Sequence, residues 1–212
     1  MARFSDEQKA MLDEHMHKKI CEAATGIIVE HGIENVRMDK VAEAAGVAKG
    51  TLYNYFKDKD QLLTIVASTV FDSIFKSITE HISSNSDALC KLQAIAGIML
   101  SSFSRYKKLF IFLHAGRSID VLNNKGPIKK RNELIGIVKN VIETAMNDGQ
   151  FRVSNSLIAA EIFLGMIMSI NISKITTGIE RPVQEDLDTV MSIFTKGIQQ
   201  DLTENKDAKN EN

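Results

Sequence analysis

Residues 38–56, MDKVAEAAGVAKGTLYNYF, and the lysines just after them gather side chains suited to contact with a nucleic acid. Tyr53 and Tyr55 offer hydroxyls to phosphate oxygens, and Lys57 and Lys59 offer cations. Lys49 and Asn54 have the reach and polarity to meet base edges, while the Thr51 methyl suits a thymine methyl. Gly50 lets a backbone approach closely, and amides at helix starts add donors for phosphate.

Such groups are useful only if short, rigid elements hold them. Residues 38–45 have room for two helical turns, with Val41, Ala42 and Ala45 facing one way. Gly46 breaks that helix, and residues 49–55 make a second short one. Helix, tight turn and helix form the helix-turn-helix arrangement, whose second helix enters the major groove. Ala42 is small where the helices cross, Gly46 suits a backbone conformation costly for a residue with a Cβ, and Val47 and Leu52 fill the angle between them.

The surrounding periodicity is helical throughout. Ile20, Ala23, Ala24, Ile27, Ile28 and His31 recur at three- and four-residue steps, which predicts a helix over residues 6–31 that ends at Gly32. With the two short helices it encloses Ile20, Ala24, Ile27, Val41, Ala42, Val47, Leu52 and Phe56. A long helix is predicted from Lys57 to about residue 82, and Asp87 is placed to start the next. Further apolar stripes cover residues 89–103, 109–113, 134–145 and 187–198, and residues 154–174 are apolar nearly all round. Pro127 and Pro182 precede periodic segments, where a helical protein tolerates proline. No sustained period-two alternation occurs. The expected fold is all-α: a three-helix N-terminal domain over residues 1–60, a larger C-terminal helical bundle over 61–200, and a polar tail over 201–212 expected to be disordered.

Composition narrows the function by exclusion. The chain has 26 Lys plus Arg against 27 Asp plus Glu, and residues 1–60 hold 9 basic and 11 acidic side chains, so any nucleic-acid site is local. Cys21 and Cys90 lie in apolar helical patterns without a CxxC or histidine cluster, and both are read as buried packing thiols; no metal and no cofactor is expected. No HExxH, paired Glu-x-x-His or phosphate-binding glycine loop is present, which argues against an enzyme. The longest uncharged apolar runs, 92–104 and 162–173, fall short of the roughly 20 residues that span a bilayer. The N-terminus lacks the pattern of a secretory signal, so no membrane partner and a cytoplasmic location are expected.

With those residues in place, GVAKGTLYNYFKDKDQLL at 46–63 resembles the TetR family of bacterial transcriptional regulators. The match is to the family's turn, short recognition helix and following Tyr-x-(His/Tyr)-Phe-x-x-Lys segment, and it extends over about residues 18–65. The rear of the chain is similar only in the number, length and order of its helices. The resemblance implies that Lys49 and Gly50 lie near the bases with Thr51 beside them, and that Tyr53, Tyr55 and Lys59 meet phosphates. Arg37 and Ala48 depart from it, standing where the family commonly has Ser or Thr at helix starts. Each lost cap is worth about 1 kcal/mol, and Arg37 either replaces a phosphate contact with its charge or is simply solvated.

The resemblance also implies a homodimer joined through the last two major helices, binding a pseudo-palindromic double-stranded DNA operator. Met166, Ile170, Val190, Phe194 and Ile198 are the expected interface; Gly165 permits close approach, and the alternative is that the apolar 158–172 stripe is core. A small apolar or aromatic effector is expected among Met99, Phe103, Phe110, His114, Met146, Phe163 and Met168, each of which has ordinary core packing as its alternative. Arg105, His114 or Arg117 is available for a polar group on it. The reading is a ligand-released repressor. An activator, or an effector-independent DNA-binding protein, is the alternative, and a helical-bundle enzyme a distant one.

Overall fold

The structure, a computed structural model of the 212-residue chain, describes residues 6–84, 87–114 and 125–198. The expected tail at 201–212 lies outside the described residues. Every regular element among them is a helix: α1 (Asp6–His31), a 3-10 turn (Ile33–Asn35), α2 (Met38–Ala45), α3 (Lys49–Tyr55), α4 (Lys59–Ser84), α5 (Ala88–Arg105), α6 (Lys107–His114), α7 (Lys125–Asn147), α8 (Ser156–Thr177) and α9 (Val183–Ile198).

Local chemistry accounts for most of the boundaries. Gly46 takes a left-handed conformation (φ 62°, ψ 39°) after α2. Its N–H bonds to the Glu43 carbonyl at 3.0 Å, and the Val47 N–H bonds to Ala42 at 2.9 Å. Those two bonds form a Schellman stop, which satisfies carbonyls that the helix end would otherwise orphan. The long helix expected from Lys57 starts two residues later because Asp58 caps it. Asp58 Oδ1 accepts from the Gln61 N–H at 2.8 Å, and Gln61 Oε1 accepts from the Lys57 N–H at 2.6 Å. Asp87 caps α5 by accepting from the Cys90 N–H at 2.9 Å, and Asn155 caps α8 by accepting from the Ile158 N–H at 3.1 Å.

The chain divides into two compact units, Met1–Ser73 with Arg105–Ile128, and Ile74–Ser104 with Lys129–Asn212. The division falls within α4 rather than at residue 60, because the first half of that helix buries Leu62, Leu63, Val66 and Ala67 as part of the first unit. In that unit α1 packs against α2, the 3-10 turn and α6. Ile20, Ala24, Ile28, Val41, Leu52 and Phe56 are fully covered, whereas Ile27 and Val47, expected in this core, are half-buried. The second unit is built on Leu92, Ile95, Leu100, Val138, Ile142, Phe163, Ile167, Val190 and Phe194.

Two helical stretches, Lys59–Ser83 and Ser156–Thr177, are long and apolar enough to cross a membrane by length and composition. The sequence reading missed them because it counted only uncharged runs. Each turns part of its apolar surface into the units just described: α8, for example, buries Ala160, Phe163, Leu164 and Ile167. It also buries Lys174.

Candidate nucleic-acid interface

The seven residues of α3 turn one side chain, Leu52, fully inward. Lys49, Gly50, Tyr53 and Asn54 are exposed, and Thr51 and Tyr55 are half-buried at its edges. A Cβ built on Gly50 would meet no atom within 4 Å, so nothing in the chain itself demands glycine there. Gly costs about 0.5–1 kcal/mol relative to Ala in the middle of a helix, and less in the first turn, where Gly50 stands. That cost, with an open surface above it, fits a position that something external approaches closely.

The helix starts bordering this surface lack side-chain caps, as expected from Arg37 and Ala48. Neither side chain accepts a hydrogen bond from the helix that follows it. Arg37 is exposed beside the start of α2, so its charge and the uncapped amides of that helix stand together.

The structure adds partners that the sequence did not reveal. Lys49 Nζ lies 2.7 Å from Asp39 Oδ1 on α2. Hydrogen bonding to that carboxylate pushes the Lys49 ammonium above its ordinary pKa. The Tyr55 hydroxyl donates to Asp13 Oδ1 on α1 at 2.8 Å, and this bond pushes the phenol above its ordinary range. Lys59 Nζ donates to the Ile33 carbonyl at 3.0 Å, tying the start of α4 to the 3-10 turn. Its ammonium keeps two further donors, since a lysine carries three. Lys57 is exposed. Tyr53, 45% exposed, and Asn54 lie on the outer side of α3 between the two carboxylate-held groups. Lys49 and Asp39 are ten positions apart and Tyr55 and Asp13 are separated by 42, so no local periodicity exposes either pairing.

The expected effector residues do not line one described cavity. Phe163 is fully buried and packs on Phe194 with ring centroids 4.8 Å apart. Phe110 packs edge-on against Phe71 within the first unit. Phe103 is buried and Met99 half-buried. Met168 is 49% exposed, pointing away from the face of α8 that packs inward. The His114 side chain and Arg117 lie outside what is described, and Arg105 is exposed beside the Tyr106 ring. An open groove of about 450 Å³ in the second unit is lined by Met146, but its other lining residues are polar: Glu143, Asn147, Ser154, Asn155 and Ser156.

The expected interface is corrected in the same way. Val190, Phe194 and Ile198 belong to the protomer's own core, with 1%, 5% and 6% exposure, and Met166 and Ile170 pack half-buried against it. The apolar side chains that α8 and α9 leave exposed are Leu157, Ile158, Ile162, Met168, Ile172 and Ile193.

Residues 20–65 match the family model of bacterial regulatory proteins, tetR family. The transcriptional regulator YvdT of Bacillus subtilis is 25% identical over 104 residues, 49% of this chain and 54% of that protein. An HTH-type transcriptional regulator of Staphylococcus aureus is 28% identical over 121 residues, 56% and 60% respectively. The alignments thus span little more than half the length of these curated relatives. Among solved structures, a transcriptional regulator from Cytophaga hutchinsonii superposes with a TM-score of 0.74 at 22% identity, covering 86% of this chain and 98% of that one. The fatty acid degradation regulator FadR from Bacillus halodurans does so at 0.66 and 18% identity, covering 84% and 94%. At these identities the superpositions establish a shared all-helical fold.

Proposed function

From the match of residues 20–65 to the family model of bacterial regulatory proteins, tetR family, we propose that the chain is a cytoplasmic, effector-released transcriptional repressor that reads double-stranded DNA through α3. The observation that carries this reading is the outer side of α3: Lys49, Gly50, Tyr53 and Asn54 exposed together on a helix-turn-helix whose glycine no internal contact requires. Arg37, Lys57 and Lys59 flank it as phosphate contacts, and Thr51 and Tyr55 form its edges.

The working unit is a homodimer. Positions 158, 162, 165, 169 and 172 follow one another at four- and three-residue steps, so Ile158, Ile162 and Ile172 form one exposed stripe on α8 with Gly165 and Ser169 between them. Ile193 adds an exposed apolar side chain on α9. This stripe replaces Val190, Phe194 and Ile198 as the interface. A two-fold dimer presents two copies of α3 to a pseudo-palindromic operator.

The effector is a small molecule with a large apolar part. A fatty acid degradation regulator, a fatty acid metabolism regulator and a ketosteroid transcriptional regulator are among the proteins of similar structure. The half-buried Met99 and Met146 are adaptable side chains through which the second unit would open to such a molecule. Control runs through α4, whose first half belongs to one compact unit and second half to the other. Release requires the effector to favour one of two states of the protein.

The test is selection of duplexes from a randomised library by the purified protein, followed by gel shifts with and without candidate fatty acids and steroids. Enrichment of a pseudo-palindrome whose binding weakens with one of them is the expected result. No enrichment would refute DNA reading; enrichment with affinity unchanged at saturating compound would refute effector release.

A further inference from the structure

Lys49 is the first residue of α3, where the positive end of the helix dipole disfavours a cation. It nonetheless stays close to the helix start, because Asp39 Oδ1, on the neighbouring α2, lies 2.7 Å from its ammonium. Both side chains are well exposed, 61% and 70%, and such pairs add little to folding. The consequence of the pair therefore lies in where it holds the cation. A free lysine beside a DNA backbone is a flexible point charge that takes the nearest phosphate and carries no sequence information. A carboxylate beside it opposes that, since it occupies one ammonium donor and repels phosphate. Two donors remain for acceptors on a base edge. The arrangement recurs at the far end of α3, where Asp13 holds the Tyr55 hydroxyl at 2.8 Å.

We propose that Asp39 is a specificity-determining residue of the reading surface, holding Lys49 for base edges and withholding it from phosphates. The proposal rests on the DNA-reading function above. It makes the acidic character of this domain, 11 acidic against 9 basic side chains in residues 1–60, a source of discrimination as well as weaker binding.

The experiment uses the full-length protein, the duplex it enriches from a randomised library, and a shuffled duplex of the same composition. Fluorescence anisotropy at several salt concentrations compares wild type, Asp39→Asn, Lys49→Met and the double variant. Asp39→Asn should tighten binding to the shuffled duplex about two- to fivefold, the range expected for freeing one exposed ion pair. Its log-log salt slope should steepen by roughly one contact. Binding to the enriched duplex should change less, so discrimination falls, and in the Lys49→Met background the effect of Asp39→Asn should vanish. Asp39→Ser should repeat the result with a shorter side chain. Equal tightening on both duplexes, or an undiminished effect without Lys49, would overturn the proposal by showing that Asp39 acts only as bulk charge. Failure of wild type to enrich any duplex would instead remove the DNA-reading function beneath it.

Discussion

Lys174 in the last turn of α8 and Asp186 in the first turn of α9 form an ion pair with each side chain only 2% exposed. Arg181 Nε donates to the other carboxylate oxygen at 2.9 Å, and Lys174 Nζ also donates to the Arg181 carbonyl at 3.3 Å. Each charge of the pair sits at the helix end whose dipole it complements. The network thus fastens two helices that also bear the proposed dimer stripe.

Breaking that pair from one side should be costly. Asp186→Asn leaves a buried ammonium without its counter-charge, and should lower the unfolding free energy by roughly 3–5 kcal/mol. Replacing both partners by Lys174→Met with Asp186→Leu should recover much of the loss. Urea titrations followed by circular dichroism would check this; a single variant as stable as wild type would show that the pair carries no such weight.

Ile162 and Phe194 should respond oppositely to a charge. Ile162, 54% exposed, should accept Ile162→Glu with its helical content and thermal midpoint close to wild type, while sedimentation reports a monomer. Phe194→Glu buries a carboxylate against Phe163, and should unfold the second unit instead. A dimeric Ile162→Glu protein would move the interface elsewhere.

Gly50→Ala separates folding from binding. With no atom within 4 Å of the added Cβ, the substitution should raise stability, by at most the roughly 0.5–1 kcal/mol of a mid-helix position because Gly50 stands in the first turn. The same methyl stands on the DNA-facing side, so affinity for the enriched duplex should fall at least several-fold. Thermal melts and anisotropy on one preparation give both numbers, and unchanged affinity would count against close approach at Gly50.

The two cysteines should differ in reactivity and in their effect on stability. Burial pushes the Cys21 thiol up to about 11; Cys90, expected from the sequence to be buried, is instead exposed, and a hydrogen bond to Asp87 raises its thiol. Both changes reduce the thiolate fraction, so at pH 8 iodoacetamide should label Cys90 slowly and Cys21 only after denaturation. A folded-state pKa above the unfolded value stabilises the protein at lower pH, and that advantage is lost as the unfolded thiol ionises. Roughly 2–3 kcal/mol should therefore disappear between about pH 9 and pH 11, and the stability gap between wild type and Cys21→Ala should narrow over that window. A gap independent of pH would contradict the assignment.

How much of this was legible beforehand follows from the range of the forces involved. The stop at Gly46 and the cap at Asp58 are made between residues no more than five positions apart, so their chemistry is written locally in AEAAGV and KDKDQ. The helix-turn-helix and the outward set on α3 followed from that local chemistry and from period 3.6. On α8 the same reasoning had nothing to work with. A helix apolar on every side gives no phase, so sequence could not say that Phe163 and Ile167 face the core while Ile162 and Ile172 face outward. On α9 it took the strongest apolar stripe, Val190, Phe194 and Ile198, for an interface, although the protomer's own core needs that stripe first. The pairings of Lys49 with Asp39 and Tyr55 with Asp13 join different helices. Periodicity determines which face of a helix is apolar; only the packing of helices against one another decides what that face covers and which charges meet across the turns.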